Sequence, residues 1–119
     1  MKLSKAAAYA TIEGRKTVER RPYRRGKNPN LKVGGCIPVV IVGSKAGRVA
    51  TVRVTWFERE RLGDSETVAD CLAEGFGGAD PVALRKHIWE QSHGPYDPDR
   101  EVWAVKFELV SVEKAAVAA

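Results

Sequence analysis

The clearest pattern in the chain is a strict alternation of apolar and polar residues over positions 49–57. A two-residue period of this kind is typical of a β-strand that buries one face. The apolar positions are Ala50, Val52, Val54 and Trp56, and the polar ones are Thr51, Arg53 and Thr55. We therefore predict a strand whose inner face carries the apolar set.

Three other segments have strand character. Positions 103–109 alternate in the same way, with Trp103, Val105, Phe107 and Leu109 on one face, and predict a final strand. Positions 37–42 form a continuous apolar run that suits a buried strand, and Pro38 places the start of that strand at an edge or a bulge. Positions 15–21 are β-like and lead into a basic loop.

Three segments predict helices. Positions 4–13 are rich in alanine and end at Gly14, with Ala8, Tyr9 and Ile12 on one side. A second helix is expected to start at positions 63–65, to place Val68, Cys71 and Leu72 on one face, and to end at the glycines 75, 77 and 78, which we interpret as a hinge. A third starts at Asp80 and Pro81, has an apolar side of Leu84, Ile88 and Trp89, and leads into a turn-rich loop over 92–99.

The order of these elements is helix, three or four strands, two helices and a strand. This order predicts an α+β fold in which a mixed sheet curls into a small barrel, with flanking helices and a two-helix insertion before the last strand. We expect one domain over 1–112 and a frayed tail over 113–119. The three tryptophans are expected in the core, and Tyr23 and Tyr96, both in predicted loops, are the better candidates for stacking on a base.

Composition sets broad limits on what the chain does. Its 119 residues leave room for one ordinary domain, and 44% hydrophobic with 29% charged residues excludes disordered, collagen-like and coiled-coil proteins. The longest uncharged apolar run, 36–43, is far shorter than the roughly 20 residues of a transmembrane helix. Cys36 and Cys71 have no metal-ligand spacing. We therefore expect a cytoplasmic protein with two reduced thiols, no metal, no cofactor and no membrane association.

Positive charge is concentrated in the first quarter of the chain. The net charge is +5, but residues 1–32 carry ten Lys or Arg against two Glu, whereas residues 33–119 carry ten against thirteen acidic residues. Within the first part, the segment 20–30 combines cations with one aromatic ring, and its candidate binding residues are Tyr23, Arg24, Arg25 and Lys27. Such a segment fits phosphate binding with a base stacked on the ring. It also fits a solvated loop that only aids solubility, and the charge asymmetry favours the first interpretation.

A dense group of ionisable residues occupies positions 14–21. Strand alternation separates Lys16 from Glu19, so the two meet only if the chain is still turning at Gly14 and leaves Lys16 outside the ladder. In that geometry Lys16, Glu19 and Arg21 converge on one cleft and bind phosphate or a base edge. The alternative is an exposed edge strand whose charges prevent aggregation.

Gly14, Lys16, Glu19 and Arg21 match the pattern G-x-K-x-x-E-x-R. In this pattern, and in the order of elements over roughly 4–111, the chain resembles the ASCH domains, small β-barrel domains related to the PUA RNA-binding fold. The resemblance implies a PUA-like barrel with a cleft where the signature faces the two-helix insertion. It also implies recognition of RNA or a nucleotide, with Gly14 and Thr17 in the binding segment.

The same resemblance implies an enzymatic alternative. Some bacterial ASCH proteins hydrolyse the amide of N4-acetylcytidine with a lysine, a threonine and a glutamate, and others are reported to cleave RNA. Lys16 and Glu74 correspond to the lysine and the glutamate, but Glu19 occupies the threonine position, and a carboxylate does not replace a hydroxyl nucleophile. Glu19 or Glu74 beside Lys16 remains a candidate general base.

The two histidines, His87 and His93, have no metal-binding companions at suitable spacing, although His93 in its predicted loop is placed to line the cleft. Our prediction is an RNA- or nucleoside-binding domain. The alternative is a small hydrolase that uses Lys16 with Glu19 or Glu74. A third possibility is a protein-interaction domain whose basic loop meets an acidic partner.

Overall fold

The computed structural model describes residues 1–27 and 29–113. The predicted frayed tail therefore lies outside the described residues except for Glu113. The elements in chain order are β1 (Lys2–Leu3), α1 (Lys5–Ile12), β2 (Val18–Pro22), β3 (Cys36–Ile41), β4 (Arg48–Arg61), a 3-10 turn (Leu62–Ser65), α2 (Val68–Ala73), α3 (Pro81–His93) and β5 (Glu101–Val112).

The five strands form one mixed sheet in the order β1-β3-β4-β5-β2. Strand β1 pairs with β3 in parallel, and the pairs β2–β5, β3–β4 and β4–β5 are antiparallel. Although β1 and β2 lie at opposite edges, Arg21 Nη2 donates to the carbonyl oxygen of Lys2 at 2.5 Å. A side chain spans the distance between the two edges, so the sheet is strongly curled without being closed. The predicted α+β fold with a curled mixed sheet is confirmed.

The main core lies between one face of this sheet and α1. It consists of buried aliphatic and aromatic side chains from β1, α1, β3, β4 and β5, among them Leu3, Ala8, Val39, Val54 and Phe107. Helix α1 starts after its N-cap, Ser4, whose side chain accepts a hydrogen bond from the Ala7 amide. Its small alanine side chains allow the helix to pack closely on the core. Strand β1 pairs with Val40 and Ile41 alone, so the start of β3, with Pro38, lies at an edge as predicted, and a register shift follows between Val39 and Val40.

Strand β4 departs from the predicted alternation at one point. It extends beyond Phe57 through the charged residues to Arg61, and its register with β5 shifts between Val54 and Trp56. A bulge of this kind adds one residue to the strand, so the side chains that follow it lie on the opposite faces from those that strict alternation predicts. Phe57 therefore packs against the core, whereas Trp56 pairs with Lys106, whose ammonium lies 4.8 Å from its ring centroid. The prediction that Trp56 belongs to the core face was wrong.

The two-helix insertion is present before β5, but its first helix, α2, starts later than the predicted positions 63–65. Residues 62–65 form a separate 3-10 turn, and α2 begins after Thr67, whose Oγ1 accepts from the Asp70 amide. Of the predicted apolar face, only Cys71 is buried, and Val68 and Leu72 are exposed.

Helix α3 also turns a different face to the interior. Trp89 is buried as predicted, but Leu84 and Ile88 are 39% and 38% exposed, and Arg85 lies inside with Pro81. A buried ionic cluster, described below, occupies the space beneath α3 and excludes an apolar face there. The helix continues to His93, so the predicted loop over 92–99 begins two residues later, after Gly94 at φ +84° ends the helix.

Candidate functional site

A cleft of about 850 Å³ lies between the signature segment and α3. One wall is the N-terminal segment with β2, and the other is the outer side of α3 with the end of α2. This placement agrees with the expectation that the signature faces the two-helix insertion. Its lining includes Lys2, Lys16, Glu19, Arg21, Arg24, Glu74, Phe76, Leu84, Ile88, Trp89, Ser92 and His93.

The chain is still turning where the signature begins. Gly14 adopts φ +79°, and the amides of Arg15 and Lys16 both donate to the carbonyl oxygen of Ala10. Strand β2 starts only at Val18. Lys16 is therefore outside the ladder and its Nζ lies 3.0 Å from Glu19 Oε1, which is the geometry that the sequence required for these two groups to meet.

Lys16 is almost fully buried, with 3% of its side chain exposed. Its Nζ donates to the carbonyl oxygen of Val18 at 2.7 Å and to that of Glu74 at 3.0 Å, in addition to its ion pair with Glu19. Two carbonyl oxygens and one carboxylate therefore surround the ammonium group. Lys16 fastens the start of β2 to the end of α2 and fixes the position of the Glu19 carboxylate.

Glu19 and Arg21 continue the polar row toward the sheet edge. Glu19 Oε2 accepts from Arg21 Nε at 3.2 Å, and Arg21 in turn reaches the carbonyl oxygen of Lys2. Glu19 keeps 18% of its side chain exposed and Arg21 about half. The carboxylate is therefore held by a cation on each side while it still faces the cleft.

The Glu74 carboxylate belongs to a buried ionic cluster and not to Lys16. Its Oε1 accepts from Arg20 Nη1 at 2.5 Å and from Arg85 Nη1 at 2.9 Å. Arg20 Nε donates as well to Glu60 at 2.6 Å. Lys16 contacts only the main-chain carbonyl of Glu74. The predicted association of Lys16 with Glu74 thus exists through the backbone, and their side chains do not form an acid/base pair.

Arg20 and Arg85 are the residues of this site that the sequence analysis missed. Burial is the largest influence on each guanidinium and lowers its pKa, but the neighbouring charges and hydrogen bonds, those of Glu74 first, together outweigh burial and raise both pKa values above the ordinary one. The sequence contains a spacing that indicates burial for each of these two arginines. Arg20 shares a strand face with Val18, and Arg85 is four residues from both Pro81 and Trp89, the spacing of one helix face.

A second cavity of about 510 Å³, which we call the mouth cavity, adjoins the cleft. It lies between β2, β3 and residues 22–27 and 29–31, and it shares Glu19, Arg21, Pro22 and Arg24 with the cleft. Lys27 lines the mouth cavity and not the cleft.

Four of the predicted binding residues line neither cavity: Gly14, Thr17, Tyr23 and Arg25. Thr17 is tied to the sheet by its backbone, since its amide donates to Ala73 and its carbonyl accepts from Phe107. The Tyr23 ring packs edge-on against Trp103 and is covered by the Arg59 guanidinium at 4.5 Å.

The other stacking candidate, Tyr96, is a packing residue. It lies against the small second core of Leu62, Trp89 and Val102, and its hydroxyl accepts from Arg85 Nη2 at 3.3 Å. Burial raises the pKa of Tyr96 to about 12. Its ring is therefore not available for a base in this structure.

The α3 wall of the cleft is apolar along most of its length and polar at its end. The exposed Leu84 and Ile88 precede Ser92 and His93, and the His93 ring contacts Trp89 at 4.4 Å between centroids. Burial, followed by the nearby Arg100 charge, lowers the pKa of His93 below its ordinary value. A neutral imidazole at pH 7 offers one donor and one acceptor to a ligand.

The arrangement suits a ligand that is apolar on one side and anionic on the other. Leu84, Ile88 and Phe76 offer contact surface, and Arg21 and Arg24 offer charge at the rim. Within residues 1–27 and 29–113 no group of three metal-ligating side chains occurs. Over the same residues no helix has the length and hydrophobicity needed to cross a membrane.

No protein-family model matches the sequence, and no curated protein matches it significantly. Solved structures do match the fold. A DUF984 protein from Enterococcus faecalis is 18% identical over 92% of this chain and 72% of its own, with a TM-score of 0.63. The ASCH domain from Lactobacillus crispatus is 15% identical over 88% of this chain and 70% of its own, with a TM-score of 0.60. The ASCH protein from Zymomonas mobilis is 12% identical over 98% of this chain and 73% of its own, with a TM-score of 0.62.

These similarities show that the chain has the fold of the ASCH domains. The resemblance that the signature and the element order indicated is confirmed at the level of the fold. The identities are too low to transfer an activity, so the function has to be argued from the cleft itself.

Proposed function

We propose that this protein binds single-stranded RNA, or a nucleoside derived from it, in the cleft between β2 and α3. The observation that carries the proposal is the pairing of an apolar wall, Leu84 and Ile88, with a cationic rim, Arg21 and Arg24, around one cavity. Nucleotides have the same two-sided character, since the base is flat and apolar on its faces and the phosphate is anionic.

Cavity size and charge both support this assignment. At about 850 Å³ the cleft lies within the range of roughly 300–1,000 Å³ that is typical of small-molecule sites. The cations at its rim come from the first 32 residues, which carry ten of the twenty Lys and Arg. A local excess of this kind attracts polyanions and gives affinity that falls with salt.

We assign separate tasks to the lining residues. Arg24 and Lys2 are exposed and bind phosphate. Leu84 and Ile88 contact the face of a base. Ser92, His93 and Glu19 offer hydrogen bonds to its edge, and Lys16 acts by holding Glu19 in place.

The test is fluorescence anisotropy with a labelled single-stranded RNA and two variants that carry the same substitution. Ile88→Glu places a carboxylate on the cleft wall, and Val68→Glu places one on α2 at an exposed position that lines neither cavity. Both lower the net charge by one. We expect Ile88→Glu to weaken binding by about tenfold or more, the loss of one base contact, and Val68→Glu to leave it nearly unchanged. Equal affinities of the two variants would contradict the proposal.

A small hydrolase is the second candidate, and one observation gives it a definite form. With Glu74 held by two arginines, Glu19 is the carboxylate that lies beside Lys16 and faces the cleft. In this candidate Glu19 activates a water as general base. Incubation with N4-acetylcytidine and with RNA, followed by chromatography, tests it. Product formed by the parent and lost in Glu19→Gln establishes the hydrolase, and absence of product leaves the binding domain.

The proposal includes a cytoplasmic location, in keeping with two unpaired cysteines of which Cys36 is exposed. A protein partner for the basic segment is a further candidate. A pull-down with this protein that is insensitive to nuclease treatment favours such a partner, since nuclease removes captured RNA and leaves a bound protein in place.

A further inference from the structure

The two cavities share an unusual feature. Over the described ranges 1–27 and 29–113, two buried side-chain polar atoms lack a hydrogen-bond partner, Trp89 Nε1 and Trp103 Nε1. Trp89 lines the cleft and Trp103 lines the mouth cavity. Buried N–H groups nearly always have a partner, so these two indoles are unusual, and each belongs to the wall of a different cavity.

The mouth cavity is mainly apolar and holds an aromatic surface. Trp103 stands between Phe57, whose ring stacks on it at 4.6 Å and 20°, and the edge of Tyr23. Ile37 and Leu31 complete the apolar lining. The volume of about 510 Å³ exceeds that needed for a single planar heterocycle and is near the middle of the range for small-ligand sites.

Cations lie at the opening of the mouth cavity. Arg24 and Lys27 are the ends of a tight turn, joined by a hydrogen bond from the Lys27 amide to the Arg24 carbonyl, with Gly26 at φ +76° between them. Both are exposed, and Arg24 belongs to the cleft as well. The phosphates of an RNA strand that follows this turn would therefore pass the openings of both the cleft and the mouth cavity.

We propose that the mouth cavity is a second base-binding site, which receives a nucleobase of the same RNA strand whose neighbouring nucleotide occupies the cleft. Arg24 and Lys27 bind the phosphates between the two bases. Trp103 contributes its indole ring surface. The inference rests on the proposed function, because it takes RNA as the ligand, but it concerns a cavity that the first proposal does not use.

The three tryptophans provide a reporter for each location. In a proton–nitrogen correlation spectrum each indole N–H gives one signal: Trp89 reports the cleft, Trp103 the mouth cavity, and Trp56, beneath Lys106 on the opposite face of the sheet, is the control. The probes are the four nucleoside 5′-monophosphates, titrated one at a time, and then a mixed-sequence RNA hexamer. We expect the hexamer to move the Trp89 and Trp103 signals and to leave Trp56 in place.

Two matched variants assign the effect to a cavity. Leu31→Phe fills part of the mouth cavity and Leu84→Phe part of the cleft, and both positions are partly accessible, so the fold tolerates them. With Leu31→Phe we expect the Trp103 shift to disappear, the Trp89 shift to remain, and hexamer affinity to fall roughly tenfold, as for one lost stacking contact. With Leu84→Phe the Trp89 shift should be the one that is lost.

The outcomes separate this inference from the proposed function. Shifts of both indoles support both proposals. A shift of Trp89 alone overturns the mouth-cavity site and leaves the cleft. A shift of Trp103 alone supports the mouth cavity and overturns the cleft. No shift of either with any probe overturns both, and equal movement of Trp56 shows a non-specific effect and also overturns the inference.

Discussion

The buried cluster around Glu74 allows the sharpest prediction of stability. Glu74→Gln keeps the shape of the side chain but removes its charge, and leaves Arg20 and Arg85 facing an uncharged amide. Removing one partner of a buried ion pair costs about 3–5 kcal/mol, because the remaining charge stays desolvated. The two arginines differ in the acceptors that they keep after the substitution, and this difference sets the size of the stability loss.

Arg20 keeps its bond to Glu60 at 2.6 Å, so its charge remains compensated. Arg85 is 2% exposed and keeps only uncharged acceptors, the hydroxyls of Ser65 and Tyr96 and a main-chain carbonyl. One arginine out of two therefore loses its counter-charge. We expect the low end of the range, about 3 kcal/mol, and a melting temperature lower by roughly 10 °C for a domain of this size.

The assay is urea and thermal unfolding at pH 7, with Glu60→Gln as the control. The Glu60 side chain is 21% exposed, and Arg20 still pairs with Glu74 when Glu60 is replaced by Gln. The control should therefore lose about 1 kcal/mol of stability or less. A cycle with Arg85→Gln should show that the Glu74 and Arg85 losses are not additive. If Glu74→Gln is no more destabilised than Glu60→Gln, the cluster does not hold α3 in the way described.

Three further predictions concern the surroundings of the cleft. In Gly75→Ala the new Cβ meets two side-chain carbons at 3.2 and 3.3 Å at a backbone φ of +96°, whereas in Gly78→Ala the φ is +87° and the new Cβ lies in open space. Unfolding curves should show that Gly78→Ala loses about 1 kcal/mol of stability and that Gly75→Ala loses clearly more. Because burial lowers the pKa of His93, the unfolded chain binds more protons than the folded one below about pH 6.5. Stability should therefore fall on acidification, and less steeply in His93→Gln. Arg24→Ala should reduce the slope of log K against log salt by about 1, whereas Arg48→Ala, with the same change in charge but lining neither cavity, should not.

Local patterns predicted most of the fold. The alternation over 49–57 and 103–109 gave the two long strands because the two-residue period depends only on neighbouring positions. The bulge after Val54 was not predictable in the same way, since the residues around it are ordinary strand formers. Its effect was to place Phe57, not Trp56, against the core.

The site was predictable where its geometry is local and not where it depends on distant contacts. Lys16 meets Glu19 three residues away, and a turn at Gly14 was enough to foresee it. Glu74 binds Arg20 across 54 residues, which no local pattern reveals. The exposed Leu84 and Ile88 show a further limit, because helical spacing of apolar residues does not distinguish a core face from the wall of a binding cleft.

The most direct test of the central claim is the affinity of the purified protein for a labelled single-stranded RNA, measured at a series of salt concentrations between about 50 and 200 mM. The cationic rim of the cleft predicts saturable binding whose log K falls linearly with log salt, with a slope that corresponds to several released counterions. Absence of binding at the lowest salt, or affinity that does not change over the series, would contradict the account.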